Sequence, residues 1–178
     1  MTTQDLSLSN LEYGYIKLIR NRLWCGREVG RAAVMVGAGF SRNARRTSQR
    51  VPTFPLWGEL ASTFYRGLYP AEAFKGGENH KANKITNSGA LSIAQEYEAS
   101  FGRQALEELI EETLPDTQYL PDSLHQLLLS LPWSDVFTTN YDTILERTQL
   151  EVPERKYDLV LSPSDIPVTM KPRIVKLH

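Results

Sequence analysis

The chain has 178 residues, of which 41% are hydrophobic and 23% charged, a composition typical of one folded globular domain. Because 20 Lys and Arg residues nearly balance 21 Asp and Glu residues, no global field favours binding to nucleic acid or to an anionic membrane. The single cysteine, Cys25, excludes an intramolecular disulfide and a four-cysteine zinc site, and it favours a reducing, cytoplasmic location.

The first third of the chain predicts a helix, a strand, a loop and a second helix. Apolar residues at helical spacing predict a helix over about 10–28. The short apolar run 32–36 ends in a glycine turn, which predicts a strand buried on both faces. The basic stretch 42–55 contains two prolines and predicts a mobile loop, and a helix is expected at about 56–69.

The middle of the chain is predicted to be mainly helical. Polar residues and two glycines over 75–88 indicate a surface excursion, and helices are expected at 89–101 and 103–114. Asp122 is placed to cap a further helix. The leucines that form one face of that helix are Leu124, Leu127, Leu128 and Leu131.

The last third is rich in strand-like segments. Strands are predicted at 134–139, 156–161 and 173–177, and a helix at 141–149. Strands separated by helices imply an α/β fold: a Rossmann-like, mostly parallel sheet with helices on both faces and a helical insertion between the first and second strands. Ligands of such sheets bind at the carboxyl ends of the strands, and three segments with chemical character follow predicted strands.

The first such segment is the glycine turn Gly37-Ala38-Gly39-Phe40-Ser41. Its two glycines let backbone N–H groups approach an anion, and Ser41 adds a hydroxyl, so the turn suits a pyrophosphate. Arg42 stands where a full dinucleotide fingerprint would have a third glycine. The alternative is that the glycines serve only the tight geometry of the turn.

The second and third segments carry polar and ionisable side chains. In Thr138-Thr139-Asn140-Tyr141-Asp142, Asn140 could orient a water or a sugar hydroxyl and Asp142 could accept from a carboxamide, although helix capping alone also explains such residues. His178 follows the last strand and could act as a general base at neutral pH, or it could simply be exposed.

The remaining ionisable residues are weaker indicators of a functional site. Four arginines after the glycine turn could cover bound phosphates or form a solvated surface; they are Arg42, Arg45, Arg46 and Arg50. His80 and His125 have no metal-binding spacing, so no metal site is predicted.

In combination the three segments resemble the sirtuin superfamily, and specifically its sirtuin-like NAD-consuming domains of prokaryotic antiviral defence proteins. Gly37 to Ser41 is similar to the family's GAGxS phosphate turn, Thr139 to Asp142 to its TNYD segment, and Lys176-Leu177-His178 to the start of its KLHG. Pro55-Leu56-Trp57 through Leu60 is similar to a P-x-W-x-x-L segment of that branch, and the resemblance spans about 32–178.

The resemblance implies an NAD+ hydrolase that releases nicotinamide and ADP-ribose and depletes NAD+ in antiphage defence by abortive infection. NAD+ is then the substrate, and no metal is required. Asn140 would orient water and the nicotinamide ribose, Asp142 would contact the carboxamide, and His178 would be the catalytic base. The residues implied to bind NAD+ are Gly37, Ala38, Gly39, Phe40, Ser41, Thr139 and Asp142.

The sequence departs from the deacylating sirtuins in lacking their four-cysteine zinc module and their segment Pro-Asp-Phe-Arg. Three alternatives stay open: an NAD-dependent protein deacylase or ADP-ribosyltransferase, a non-catalytic sensor of NAD+ or ADP-ribose, and a structural domain in which the motifs are accidental. We expect one NADase domain over 1–178, incomplete at its C-terminus because the glycine of KLHG is missing. We also expect a homo-oligomer and a regulatory C-terminal region or partner protein. The expected parts of the domain are an N-terminal helix (1–30), a strand and phosphate turn (32–41), a helical region (56–131) and the catalytic strands (134–178).

Overall fold

The computed structural model describes residues 10–26, 29–70, 78–152 and 154–177 and has a mixed α/β fold. The helices are α1 (Asn10–Leu23), α2 (Ala38–Ser41), α3 (Trp57–Leu68), α4 (Glu78–Phe101), α5 (Arg103–Thr113), α6 (Ser123–Ser130) and α7 (Ile144–Thr148). The strands are β1 (Ala33–Val36), β2 (Arg45–Arg46), β3 (Tyr119–Leu120), β4 (Asp135–Thr138), β5 (Asp158–Val160) and β6 (Arg173–Lys176).

The contacts of the chain divide it into two compact units. The first unit takes in the chain up to Val36, Ser123–Asn140 and the chain from Leu145 onward. The second comprises Gly37–Asp122 and Tyr141–Ile144. The chain therefore leaves the first unit directly after β1 and again two residues after β4 ends.

The first unit contains a four-stranded parallel sheet in the order β1-β4-β6-β5. The strands predicted at 32–36, 134–139, 156–161 and 173–177 are therefore confirmed, and so is the parallel sheet. In the register of the sheet, Val36 pairs with Thr138 and Thr138 pairs with Lys176. Because these three residues end neighbouring parallel strands, the carboxyl ends of β1, β4 and β6 lie at one edge of the sheet.

The prediction that β1 is buried on both faces is wrong. Val36 is buried, but Ala33 is exposed and the side chain of Met35 is 57% exposed. The strand lies at the edge of the sheet, and among the described residues nothing buries its second face. Four apolar residues do not by themselves determine how many faces of a strand are covered, because this depends on which distant segments pack against it.

The predicted apolar face of α6 is also wrong. Leu124 and Leu127 are exposed, whereas His125 and Leu129 are buried. The helix carries apolar residues on more than one face, so its pattern fits two orientations. In the same unit, α1 ends at Leu23 rather than near residue 28. The side chains of Tyr15, Leu18 and Ile19 in this helix are exposed.

The second unit has two apolar clusters. The larger joins α3, α4 and α5 through the buried residues Leu60, Phe64, Tyr65, Ile93, Ala94, Leu106 and Ile110. The smaller contains Ala44, Val51, Phe54, Tyr119 and Ile144. The helices predicted at 56–69 and 103–114 are confirmed, and Leu106 and Ile110 lie on the buried face of α5.

Two predictions for this unit need correction. The stretch 42–55 is not a simple loop, because β2 pairs antiparallel with β3 and Val51 and Phe54 are buried. Residues 78–88, predicted as a surface excursion, belong to α4, which is interrupted at Gly89, where φ is 74°. A positive φ is readily adopted by glycine, so Gly89 permits the interruption. Among the helices described, none has the combination of length and apolar character that a membrane crossing requires.

Candidate functional site

The glycine turn begins at Gly37, which follows the last residue of β1. Gly37 has φ −112° and ψ 177°, an extended conformation open to any residue, and Gly39 lies in α2 without a positive φ. A Cβ atom added to either glycine would meet no described atom within 4 Å. Neither turn geometry nor packing therefore requires glycine here, and the missing side chains leave the backbone open to a close approach from outside.

Ser41, the last residue of α2, is bound to Asp142 within the second unit. Its Oγ donates a hydrogen bond of 2.7 Å to Oδ2 of Asp142, and the two residues are only 3% and 5% exposed. The tertiary structure thus joins the glycine turn to the segment that ends in Asp142. The two side chains that the sequence assigned to different parts of a ligand contact each other.

Asp142 also has the capping role that the sequence left open. Its Oδ1 accepts a hydrogen bond of 3.2 Å from the backbone N–H of Ile144, the first residue of α7. An aspartate that accepts from the residue two positions ahead is a common arrangement before a helix. One carboxylate oxygen of Asp142 therefore caps α7, and the other contacts the glycine turn.

The neighbours of Asp142 are attached to other parts of the second unit. The ring of Tyr141 lies edge-on to the ring of Trp57, with centroids 6.1 Å apart. Thr143 donates from its backbone N–H and its hydroxyl to the carboxylate of Asp116, at 3.1 and 2.6 Å. The sequence carried no signal for Asp116, which belongs to no motif, whereas Trp57 lies in the P-x-W-x-x-L segment.

Tyr141 is half-buried, and burial raises the pKa of its phenol. The positive charge of Arg103 acts in the opposite direction, and the carboxylates of Glu98 and Glu107 raise the pKa further. The phenol therefore stays protonated at neutral pH and can donate a hydrogen bond.

Asn140 ends the part of the first unit that contains β4, and it is 5% exposed. Its backbone N–H donates a 3.0 Å hydrogen bond to Oγ1 of Thr138, which is itself buried. This local bond turns the chain immediately after the strand. Thr139, between the two, is half-buried.

The predicted base, His178, lies outside the described residues. Leu177, the residue before it, donates its backbone N–H to the carbonyl of Thr138 at 2.9 Å. The chain thus remains beside β4 up to the residue before His178. Lys176, one position earlier, pairs with Glu146 of α7 at 2.7 Å, and both side chains are largely buried.

Two of the four arginines after the glycine turn contact other parts of the second unit. Arg42 donates to the carbonyl of Phe54 and pairs with Glu59 near the start of α3. Arg46 lies in β2 and donates to the carbonyl of Val51. For Arg42 and Arg46 these contacts favour a structural role over a cover for phosphates. All four arginines are exposed.

In the described part of the chain, no three His, Cys, Asp or Glu side chains come together as metal ligands would. No model of a known protein family matches the chain. A comparison with curated proteins likewise finds no matching relative.

Proposed function

We propose that the chain is an NAD+ hydrolase that cleaves the bond between nicotinamide and ribose. The products are nicotinamide and ADP-ribose. The proposal includes a sirtuin-like domain whose helices between the first two strands of the parallel sheet form an insertion, a cytoplasmic location, a homo-oligomer, and a role in antiphage defence through loss of NAD+.

The observation that carries the proposal is the open backbone at Gly37 and Gly39. Glycine costs conformational entropy, and here neither its backbone angles nor its packing requires it. A ligand that comes close to the backbone would explain both positions. The N–H groups of such a turn suit the two phosphates of a dinucleotide.

The carboxyl ends of β4 and β6 supply the residues for the reaction. Asn140 follows β4, and His178 directly follows Leu177, which is hydrogen-bonded to Thr138 of that strand. In this proposal Asn140 holds the attacking water and the ribose, and His178 accepts a proton from the water. The side chains of Phe40 and Thr139 complete the contacts with NAD+, and Asp142 lies at the phosphate turn.

The reaction balances without a further reactant. The oxygen of water forms a bond to C1′ of the ribose, and the bond from C1′ to the pyridinium nitrogen breaks. The electron pair of that bond neutralises the nicotinamide, which makes it a good leaving group. In the transition state the ribose develops the positive charge of an oxocarbenium ion, which the protein must accommodate, as in glycoside hydrolysis.

The test is to incubate the full chain with NAD+ and to separate the products by chromatography. We expect nicotinamide and ADP-ribose in equal amounts, without any acceptor protein or peptide. Consumption of NAD+ only with an acyl-lysine peptide would support the deacylase instead. Binding without consumption would support the sensor.

A further inference from the structure

We propose that Asp142 is a positioning residue which, through Ser41, holds the glycine turn in the geometry that binds the diphosphate group of the substrate. This inference rests on the proposed function, since it concerns the same turn. It differs from the role implied by the resemblance, in which Asp142 contacts the nicotinamide carboxamide.

The hydroxyl of Ser41 is occupied by its hydrogen bond to Asp142. A serine hydroxyl has one hydrogen, and in this structure Ser41 donates it to Asp142. While that bond exists, Ser41 cannot donate the same hydrogen to a phosphate oxygen. The diphosphate must then be bound mainly by backbone N–H groups of residues 37–39, since the N–H of Phe40 already donates to the carbonyl of Gly37 at 2.9 Å. The positions of these groups depend on how the turn is held.

The carboxylate of Asp142 accepts two hydrogen bonds, one at each oxygen. One oxygen accepts from Ser41 and the other from the backbone N–H of Ile144. A buried carboxylate that accepts two hydrogen bonds is a stronger attachment than a neutral pair. Asp142 therefore ties the end of α2 to the start of α7.

The segment around Asp142 is itself attached to the second unit at several points. Tyr141 contacts Trp57, Thr143 is bound to Asp116 by two hydrogen bonds, and Ile144 is buried in the smaller apolar cluster. Each of the four residues 141–144 is thus attached to a different part of the second unit. Because the residues on both sides of Asp142 are fixed in this way, its carboxylate can restrain the position of the glycine turn.

The experiment measures the affinity of the full chain for ADP, which has a diphosphate and no nicotinamide, and for NAD+. We expect Ser41→Ala and Asp142→Ala each to weaken ADP binding about tenfold, the effect of losing one charge-assisted hydrogen bond. The double variant should bind ADP no more weakly than the weaker of the two single variants, because both changes remove the same contact. Glu112→Ala, which changes an exposed carboxylate on α5, is the matched control and should bind like the wild type.

The conservative change Asp142→Asn separates positioning from charge. Its amide can donate to Oγ of Ser41 and accept from Ile144, so ADP binding should stay within about threefold of the wild type. Hydrogen exchange of the backbone amides of 37–41, measured without ligand, should be faster in Asp142→Ala and close to wild type in Asp142→Asn. If Asp142→Ala does not fold, Ser41→Ala decides the question.

Wild-type affinity for ADP in Ser41→Ala or in folded Asp142→Ala would overturn the inference, whether or not NAD+ binding falls. A wild-type chain that does not bind ADP would overturn both this inference and the hydrolase. A wild-type chain that binds ADP but does not hydrolyse NAD+ would overturn only the hydrolase, and the variants would still test the role of Asp142.

Discussion

Lys176 and Glu146 form an ion pair in the interior of the first unit, with Nζ and Oε1 2.7 Å apart. Their side chains are 8% and 15% exposed. The pair joins the last residue of β6 to α7, two residues before the predicted base. Removing water from two charges offsets much of their attraction, so such a pair contributes more to the position of these elements than to net stability.

Lys176→Met should lower the free energy of unfolding by about 3 kcal/mol, because it leaves the carboxylate of Glu146 buried without its ammonium partner. The double change Lys176→Met with Glu146→Leu should recover most of that loss, since no charge is then buried alone. Urea unfolding of the two single variants and the double variant measures the coupling. A double variant whose loss equals the sum of the single losses would show that the two residues do not interact.

Asn140→Ala should lower the rate of NAD+ hydrolysis by about 100-fold or more, because the water and the ribose lose the group that orients them. The fold should be retained, since the change removes a small side chain at the end of a strand. Circular dichroism, a melting curve and an NAD+ assay check this. Asn21→Ala, on the exposed surface of α1, is the control and should keep full activity.

His178→Ala tests the predicted base in the same assays. We expect NAD+ hydrolysis to fall by about 100-fold or more, in the range usual for loss of a general base. Full activity in this variant would remove His178 from the proposed mechanism while leaving the roles of the glycine turn unaffected.

Gly39→Val should weaken the binding of NAD+ about tenfold or more, equivalent to about 1.4 kcal/mol, because its side chain would fill the space that the ligand needs. Gly58→Val in α3 is a close control, since a Cβ there also meets no described atom within 4 Å. Arg45→Gln should have much less effect. Isothermal titration of the three variants decides it, and an equal loss in Gly39→Val and Arg45→Gln would contradict a purely steric explanation.

The pKa of Asp135 determines how its contribution to the stability of the fold depends on pH. Burial by itself would raise the pKa of Asp135, but hydrogen bonds from Lys171 and Arg173 outweigh it and lower the pKa below the ordinary value of 3.8. A lowered pKa means that the folded state holds the charged form more strongly than the unfolded state does. The stabilisation is therefore complete above the ordinary pKa and is lost as the pH falls through the folded value.

Asp135→Asn should accordingly cost about 2 kcal/mol at pH 7, in the range for hydrogen bonds to a charged group. At pH 3 the difference from the wild type should be clearly smaller. Denaturant unfolding at the two pH values measures both differences. A cost that is the same at pH 7 and pH 3 would mean that the charge of Asp135 does not contribute to stability.

The sequence predicted the strands of the parallel sheet and the helices α3 and α5 because these depend on local spacing. Residues at period 3.6 or in short apolar runs bounded by glycine and proline carry this information within a few positions of each other. The same local information placed Asn140 directly after a strand, and it indicated that polar segments follow β1, β4 and β6. The identity of the ligand and the reaction remain proposals.

Only the tertiary structure decided which residues meet and which faces are buried. Ser41 and Asp142 are 101 positions apart, and no local pattern predicts that one donates to the other. His125 and Leu129 are buried in place of Leu124 and Leu127 because a helix with several apolar faces can pack in more than one orientation. The physical reason is the same in both cases: spacing along the chain determines local conformation, whereas burial and long-range hydrogen bonds depend on how distant segments pack together.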